Sequence, residues 1–246
     1  MTKKLKKELK AVKPDWLAPS HVQAFSTTRK GGCSLPPFDA LNLGDHVGDS
    51  SESVAENRGF LSSGLNIPSE PVWLNQQHTT IIQKDQKKYN GEPCDGIYTN
   101  QSSVVCAVMT ADCMPVLISN KQGSEVAAVH AGWRGLAGGI IEKAISLFES
   151  KAKDLLVWAG PTISQQNFEI GLEVKIELGG SERFYEKNPD KAGHYFCDLY
   201  GLAGERVTAL GASYTYSKQC TYADKKDYFS YRRDGKTGRM ASLIWF

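Results

Sequence analysis

The 246-residue chain has no apolar run near the ~18 residues that a membrane span needs. Its start, MTKKLKKELKAVKPDW, has charge but no apolar centre of the kind a secretory signal carries, so a cytoplasmic location is expected. Several chemistries are missing as well. There is no G-x-G-x-x-G after a strand, no H-E-x-x-H and no G-x-S-x-G. The H-x-E…P-C-x-x-C pattern of zinc nucleobase deaminases is also missing. DGKTG, from Asp234, resembles the end of a phosphate loop, but the glycine required five residues before Gly235 is Ser230. Six cysteines occur without C-x-x-C spacing, which argues for reduced thiols rather than a disulfide framework.

Excess charge is largely absent too. The net charge is +2, yet residues 1–13 hold six lysines and one glutamate, so the remainder is about −3. A nucleic-acid-binding body is therefore not expected, and neither is a membrane partner. The basic lead, residues 1–15, reads as a solvated tail. Hydrophobic content of 41% is enough for a packed core, and no repeat or linker divides the chain. One domain over 1–246 is expected.

What is present is an irregular succession of short strands and helices. Strands are expected at Val22–Ser26, Val72–Leu74, Thr79–Gln83, Ile97–Tyr98 and Val104–Met109. Further strands are expected at Leu155–Ala159, Ser213–Tyr216, Asp227–Arg232 and Met240–Trp245. Helical spacing marks 50–65, 135–151 and 198–210, with Ser50, Ser51 or Ser53 as cap of the first and Asp198 of the last. Strict βαβ alternation is lacking. The fold class is α+β, with mixed, sandwich-like sheets flanked by helices.

The stretch 111–139, ADCMPVLISNKQGSEVAAVHAGWRGLAGG, carries the most chemistry. Apolar runs Pro115–Ile118 and Val126–Val129 flank a polar turn, which predicts a hairpin with Cys113 at one end and His130 beside it. With His78 of the polar NQQH segment they make an N₂S set suited to Zn²⁺ with an open fourth position. The same Cys113 and His130 would serve equally as a metal-free nucleophile and base, or as a buried cysteine beside an unrelated histidine.

FSTTRKGGCS, FDALNLGDHVGD, ENR, NQQH, TADCMPV, VHAGWRGLAGG, GPTISQQNFEIG, CTY and FSYRRDGKTGRMASLIW occur in order from Phe25 to Phe246. In this the chain resembles the laccase-domain (polyphenol-oxidase, YfiH-type) family, also called the peptidoglycan editing factor family. One departure is Ser164, where the family has glycine after GPxI. The resemblance implies a cysteine-hydrolase-like fold and a site in which His78, Cys113 and His130 hold zinc, or copper in some preparations. It further implies purine nucleoside phosphorylase activity on adenosine, inosine and methylthioadenosine, with adenosine deamination as well. The partners would be a nucleoside and phosphate, and the protein a monomer or weak homodimer. Arg58 of ENR and Asn42 of LNLG are the implied substrate or phosphate contacts; Arg29, Arg232 and Arg233 are further guanidinium candidates. Peptidoglycan-precursor hydrolysis through Cys113 and His130 is the rival activity. A multicopper oxidase relay would use about ten histidines, many in H-x-H pairs, as copper's preference for imidazole implies. The chain has five histidines and no H-x-H, so any oxidase activity would be a side reaction of copper in the N₂S set.

Overall fold

The computed structural model describes residues 9–84 and 89–246. In chain order its first strands are β1 (Ala11–Val12), β2 (Gln23–Thr27), β3 (Ile82–Gln83), β4 (Gly96–Thr99), β5 (Cys106–Thr110), β6 (Met114–Asn120) and β7 (Val126–Ala131). They continue as β8 (Leu155–Ala159), β9 (Glu169–Gly171), β10 (Tyr185–Lys187), β11 (His194–Cys197), β12 (Ser213–Tyr216) and β13 (Met240–Trp245). Among them lie helices α1 (Ser51–Leu65), α2 (Trp133–Ala137), α3 (Ile140–Ile145), α4 (Leu172–Leu178), α5 (Leu199–Ala209) and α6 (Tyr231–Asp234).

A six-stranded sheet in the order β12-β8-β6-β7-β4-β3 packs on a four-stranded sheet in the order β1-β2-β13-β5, and β10-β11-β9 form a small third sheet. Pairing is mixed: β12 with β8 and β3 with β4 run parallel, while β6 is antiparallel to both its neighbours. Strand periodicity explains the layers. Leu117, Ala128 and Trp158 point from the large sheet to Cys106, Val108 and Ile244 of the smaller one. Their chain neighbours Val116, Ile118, Val129 and Val157 point the other way, onto α3 and α5. Both faces are buried, so β6 reads as a continuous apolar run with no alternation. The outer face of the smaller sheet is closed by Leu41, Leu43 and Leu61. The result is helices, two sheets, and then α1 with the loop before it in layers, the mixed sandwich the strand pattern predicts.

Ser50 caps α1, its Oγ accepting from the Ser53 amide at 3.3 Å, and Asn66 ends the helix in the left-handed region at φ 52°. The buried face includes Val54 and Leu61, and also Asn57. Asn57 accepts from the Cys33 amide at 2.8 Å and donates to the Asn42 carbonyl at 2.8 Å, so α1 anchors the long loop 28–50.

Five expectations change. Residues 135–151 are not one helix: α2 starts earlier and stops at Gly138, and Gly139 at φ 78° separates it from α3. Asp227–Arg232 is not a strand; Ser230 caps α6, its Oγ accepting from the Arg233 amide at 3.2 Å. Val72–Leu74 makes a single bridge, to Cys106, and Thr79–Gln83 shrinks to β3. At the start of the second stretch Thr79 gives its amide to a buried carboxylate, described below, instead of to a ladder. The basic lead is only partly outside the fold: residues 1–8 lie outside the described residues, but Ala11 and Val12 pair with Thr27 and Ser26.

Glu125 is the chief polar group of this core. Its carboxylate accepts from Tyr98 Oη at 2.7 Å, Ser150 Oγ at 2.7 Å and the Glu149 amide at 2.8 Å. Burial alone would raise its pKa, but the donors from Ser150, Tyr98 and the two amides outweigh it and lower the value. Its stabilising contribution is therefore complete above the ordinary 4.5 and is lost as pH falls through the lowered value. Glu125→Ala is expected to cost about 3 kcal/mol, since it strands buried donors. Urea unfolding at pH 7 and pH 3 checks this, and the difference between wild type and variant should narrow at the lower pH.

Candidate metal centre and active site

The β6–β7 hairpin builds most of the site. Its register sets Pro115 opposite His130 and Met114 opposite Ala131, so Cys113, one residue before β6, comes alongside Gly132. His78 arrives from the segment after Leu74, with φ 59°, and its ring meets that of His130 edge-on at 4.9 Å. The Nε2 of His78 is 3.8 Å from Cys113 Sγ. One ligand atom from each of His78, Cys113 and His130 lies within 4.8 Å of the others. A tetrahedral zinc with ordinary Zn–N and Zn–S bonds has edges of about 3.3–3.6 Å, so small adjustments of the side chains close the set. A soft thiolate with two imidazoles suits zinc, and copper equally.

Two buried aspartates hold this arrangement. Asp95 is fully buried; its carboxylate accepts from His130 Nδ1 at 2.7 Å and from the amides of Gln77, His78 and Thr79 at 3.1, 3.0 and 2.6 Å. One carboxylate thus fixes the ring of one histidine and the backbone of the other, leaving His130 Nε2 for the cavity. Asp112, at φ 91°, accepts from Thr221 Oγ1 at 2.7 Å, Ser230 Oγ at 3.0 Å and the Arg232 amide at 2.7 Å. A left-handed non-glycine residue costs about 1–3 kcal/mol, held here by those bonds, and it aims the next side chain, Cys113. Gln76 adds a third tie, donating to the Met109 carbonyl at 2.8 Å and accepting from its amide at 2.7 Å.

The electrostatics follow. Burial disfavours a charged Cys113, but His130 and His78 beside it prevail and bring the thiol down to about 6. Burial likewise disfavours His130 imidazolium, but Cys113 and Asp95 raise it to about 9. Without a metal the two form a thiolate–imidazolium pair. Burial, with help from Arg239, lowers His46.

His78, Cys113 and His130 open on a cavity of about 500 Å³ that also takes in His46, Arg134, Tyr231 and Arg239. Arg134 stacks on Trp133 at 4.2 Å. A second cavity, about 640 Å³, adjoins it through His46, Gln76, His78 and Met109, and has Trp73 and Tyr89 in its wall.

The other candidate residues do not line the ligand cavity. Arg58 donates to the Leu43 carbonyl through Nε and Nη2 at 3.1 and 2.9 Å and stacks on Trp73 at 4.2 Å. Asn42 is fully buried, its Oδ1 accepting from the Arg239 amide at 2.9 Å. Arg29 donates to the Asp39 carbonyl at 2.7 Å and covers Phe229 at 4.5 Å. Arg233 donates to the carbonyls of Thr221, Tyr222 and Tyr228 and pairs with Asp234. Arg232 donates to the Glu169 carbonyl at 3.1 Å. Asp95, Asp112 and Arg239 escape sequence reasoning. Two of them carry a slight signal: Asp112 adjoins Cys113 in TADC, and Arg239 is a cation just after a glycine turn. The helix that follows His130, α2, has only five residues.

Gly132 is required by the site itself. A methyl group there would sit 2.9 Å from His78 Cδ2 and 3.1 Å from Cys113 Sγ. Its φ of −62° suits alanine, so Gly132→Ala is expected to fold while loosening the ligand set. A Co²⁺ titration followed by visible absorption should show affinity reduced about tenfold or more, in line with losses from disturbed ligand orientation.

Known proteins resemble this chain in sequence and in fold. The family model described as "Multi-copper polyphenol oxidoreductase laccase" matches residues 23–246. A Shigella flexneri protein named purine nucleoside phosphorylase YfiH is 47% identical over 247 residues, covering 96% of this chain and 98% of its own. A Haemophilus influenzae protein named purine nucleoside phosphorylase is 43% identical over 244 residues, covering 97% and 100%. A Neisseria meningitidis crystal structure superposes with a TM-score of 0.89 at 39% identity, covering 96% and 98%. A Bacillus licheniformis protein called YfiH gives 0.88 at 28%, covering 99% and 97%. The chain therefore belongs to the laccase-like, YfiH-type family.

Proposed function

We propose that the protein is a purine nucleoside phosphorylase, acting on adenosine, inosine and methylthioadenosine at a zinc site formed by His78, Cys113 and His130. The observation that carries this reading is the convergence of those three side chains on a cavity also edged by Arg134 and Arg239. Relatives named purine nucleoside phosphorylase at 43–47% identity support it.

In the reaction, C1′ of the ribose loses its bond to the purine nitrogen and gains one to a phosphate oxygen. The electron pair of the broken bond leaves with the purine, which takes up the proton released by dihydrogen phosphate. Arg134 and Arg239 counter the negative charge of phosphate, and the cavity walls limit competition from water. The adjoining cavity with Trp73 and Tyr89 has room and aromatic surface for a purine. A bound metal would supply Lewis acidity at the purine or at a water, and the latter would give adenosine deamination as a second activity. Asp95 keeps His130 turned toward that site, and Cys113 supplies its anionic ligand. Copper is an alternative occupant of the same donors. A cytoplasmic monomer or weak homodimer completes the proposal.

Purified protein of defined metal content, given inosine or adenosine with phosphate, should release free base and ribose 1-phosphate. Absence of both products at every metal loading would sink the reading. One observation favours a second reading. Cys113, His130 and Asp95 also stand in the order of nucleophile, base and orienting acid, which suits a thiol hydrolase acting on peptidoglycan precursors. Chelation separates the two, because it would abolish phosphorolysis and leave thiol hydrolysis intact.

A further inference from the structure

A third cavity, about 500 Å³, meets the other two at His46 and is lined by Tyr231, Lys236, Thr237 and Arg239. We propose that the loop 235–239, Gly-Lys-Thr-Gly-Arg, is a phosphate-binding subsite that presents the anion to the metal cavity through Arg239. The proposal rests on the phosphorylase reading above and deepens it, naming inorganic phosphate as the occupant.

The loop runs from helix α6 into strand β13, the reverse of a phosphate loop's strand-to-helix order, yet its side chains are arranged for an anion. Thr237 is 1% exposed and lines the cavity, and its hydroxyl has no hydrogen-bond partner among the described residues. Such a group is unfavourable unless something else satisfies it. Lys236 next to it has no acidic partner among the described residues; its ammonium lies 5.4 Å over the Phe38 ring. Arg239 spends Nη1 on the carbonyls of Thr237 and Gly238, at 3.0 and 3.1 Å, which fixes the plane of the guanidinium. Its remaining guanidinium N–H groups have no hydrogen-bond partner among the described residues. An ammonium, a hydroxyl and a guanidinium edge along one cavity are complementary to a tetrahedral oxyanion.

The backbone is built to keep this shape. Gly235 ends α6 at φ 66°, and a Cβ on Gly238 would meet the Phe229 ring at 2.7 Å. A Cβ on Gly44 would come within 2.8 Å of the Arg239 stem. Asn42 accepts the Arg239 amide at 2.9 Å, so its part is to position that arginine rather than to touch an anion itself. Because Arg239 borders both this cavity and the one holding His78, Cys113 and His130, a phosphate at the loop lies next to the metal set.

The test uses the metal-loaded full chain and inorganic phosphate. Lys236→Ala should raise KM for phosphate about tenfold, and Thr237→Val about fivefold, as expected for losing a charge-assisted and a neutral contact. Nucleoside KM and metal content should stay as in wild type, and Thr237→Ser should restore phosphate KM. Lys226→Ala, in a separate basic cavity, should leave it unchanged and so rules out a general charge effect. Phosphate should also raise the thermal midpoint of wild type and not of the two variants. Turnover by both variants at wild-type phosphate KM would overturn the subsite while leaving the phosphorylase reading intact. Phosphate protection that depends on Lys236 and Thr237, in a wild type without phosphorolysis, would support the anion site and refute the reading it rests on.

Discussion

Cys113→Ala is expected to abolish stoichiometric metal binding and to lower kcat/KM for phosphorolysis by about a thousandfold or more, while the fold is kept. Cys113 is the one anionic ligand in the set, and two neutral imidazoles alone hold a divalent ion far more weakly. The sulfur is half-buried at the mouth of a cavity, so its removal leaves little void, and about 1 kcal/mol of stability is at stake. Metal content by mass spectrometry and turnover on inosine should fall together. In metal-free protein the same variant has a second signature. The Cys113 contribution is lost as pH falls through about 6 and complete above its ordinary 9.0. That of His130 is complete below its ordinary 6.5 and lost as pH rises through about 9. The pair therefore supports the fold most in the interval between these limits, and Cys113→Ala should flatten the stability profile there. A variant that still binds one zinc per chain and retains wild-type turnover would show that Cys113 is neither ligand nor catalyst.

Part of this site is legible in the sequence because hairpins are local. Two apolar runs around a six-residue polar turn can scarcely pair otherwise, and a thiol and an imidazole at their open ends then become neighbours. His78 joins them through the polar NQQH segment around it and the family resemblance, since nothing near it in the chain shows that its backbone will be held at φ 59°. Arginines are harder still. Sequence displays a guanidinium's charge but not its partners, and Arg58, Arg29 and Arg233 spend theirs on loop carbonyls. Arg239 is held by Asn42 at its backbone amide and by two loop carbonyls at Nη1, and its other guanidinium N–H groups have no hydrogen-bond partner among the described residues. The same long-range effect turns 227–232 away from strand. Ser230 both caps α6 and donates to Asp112, 118 residues earlier, and no local pattern can report such a bond. The broken helix after His130 is different, because Gly138 and Gly139 are in plain view. Apolar periodicity across them was a misleading guide to helix continuity.

Asp95→Ala is expected to be the most damaging single substitution outside the ligands. The carboxylate is fully buried and answers four donors, three of them consecutive amides that have no strand to pair with. Deleting it strands those amides, removes the orienting partner of His130 and lets the turn carrying His78 relax. A loss of about 3–4 kcal/mol follows from breaking a buried charged network. For a chain of this size that is a fall in thermal midpoint on the order of 6–15 °C. Loss of a carboxylate behind a metal-bound histidine lowers affinity by about 10–100-fold, and here the second histidine is affected as well. Burial opposes ionisation of Asp95, but His130 and the Thr79 amide prevail and lower its pKa, so its support is present above the ordinary 3.8 and fades as pH falls below that. Asp95→Asn keeps the volume but turns one acceptor into a donor facing other donors, so it should fall between wild type and alanine in stability. Calorimetry with and without Zn²⁺ separates the two effects. The metal-free midpoint reports the turn, and the shift on adding Zn²⁺ reports the ligands. If Asp95→Ala lowered the metal-free midpoint but left the zinc-induced shift unchanged, the carboxylate would be holding the turn alone, and His130 would be oriented by the strand that carries it.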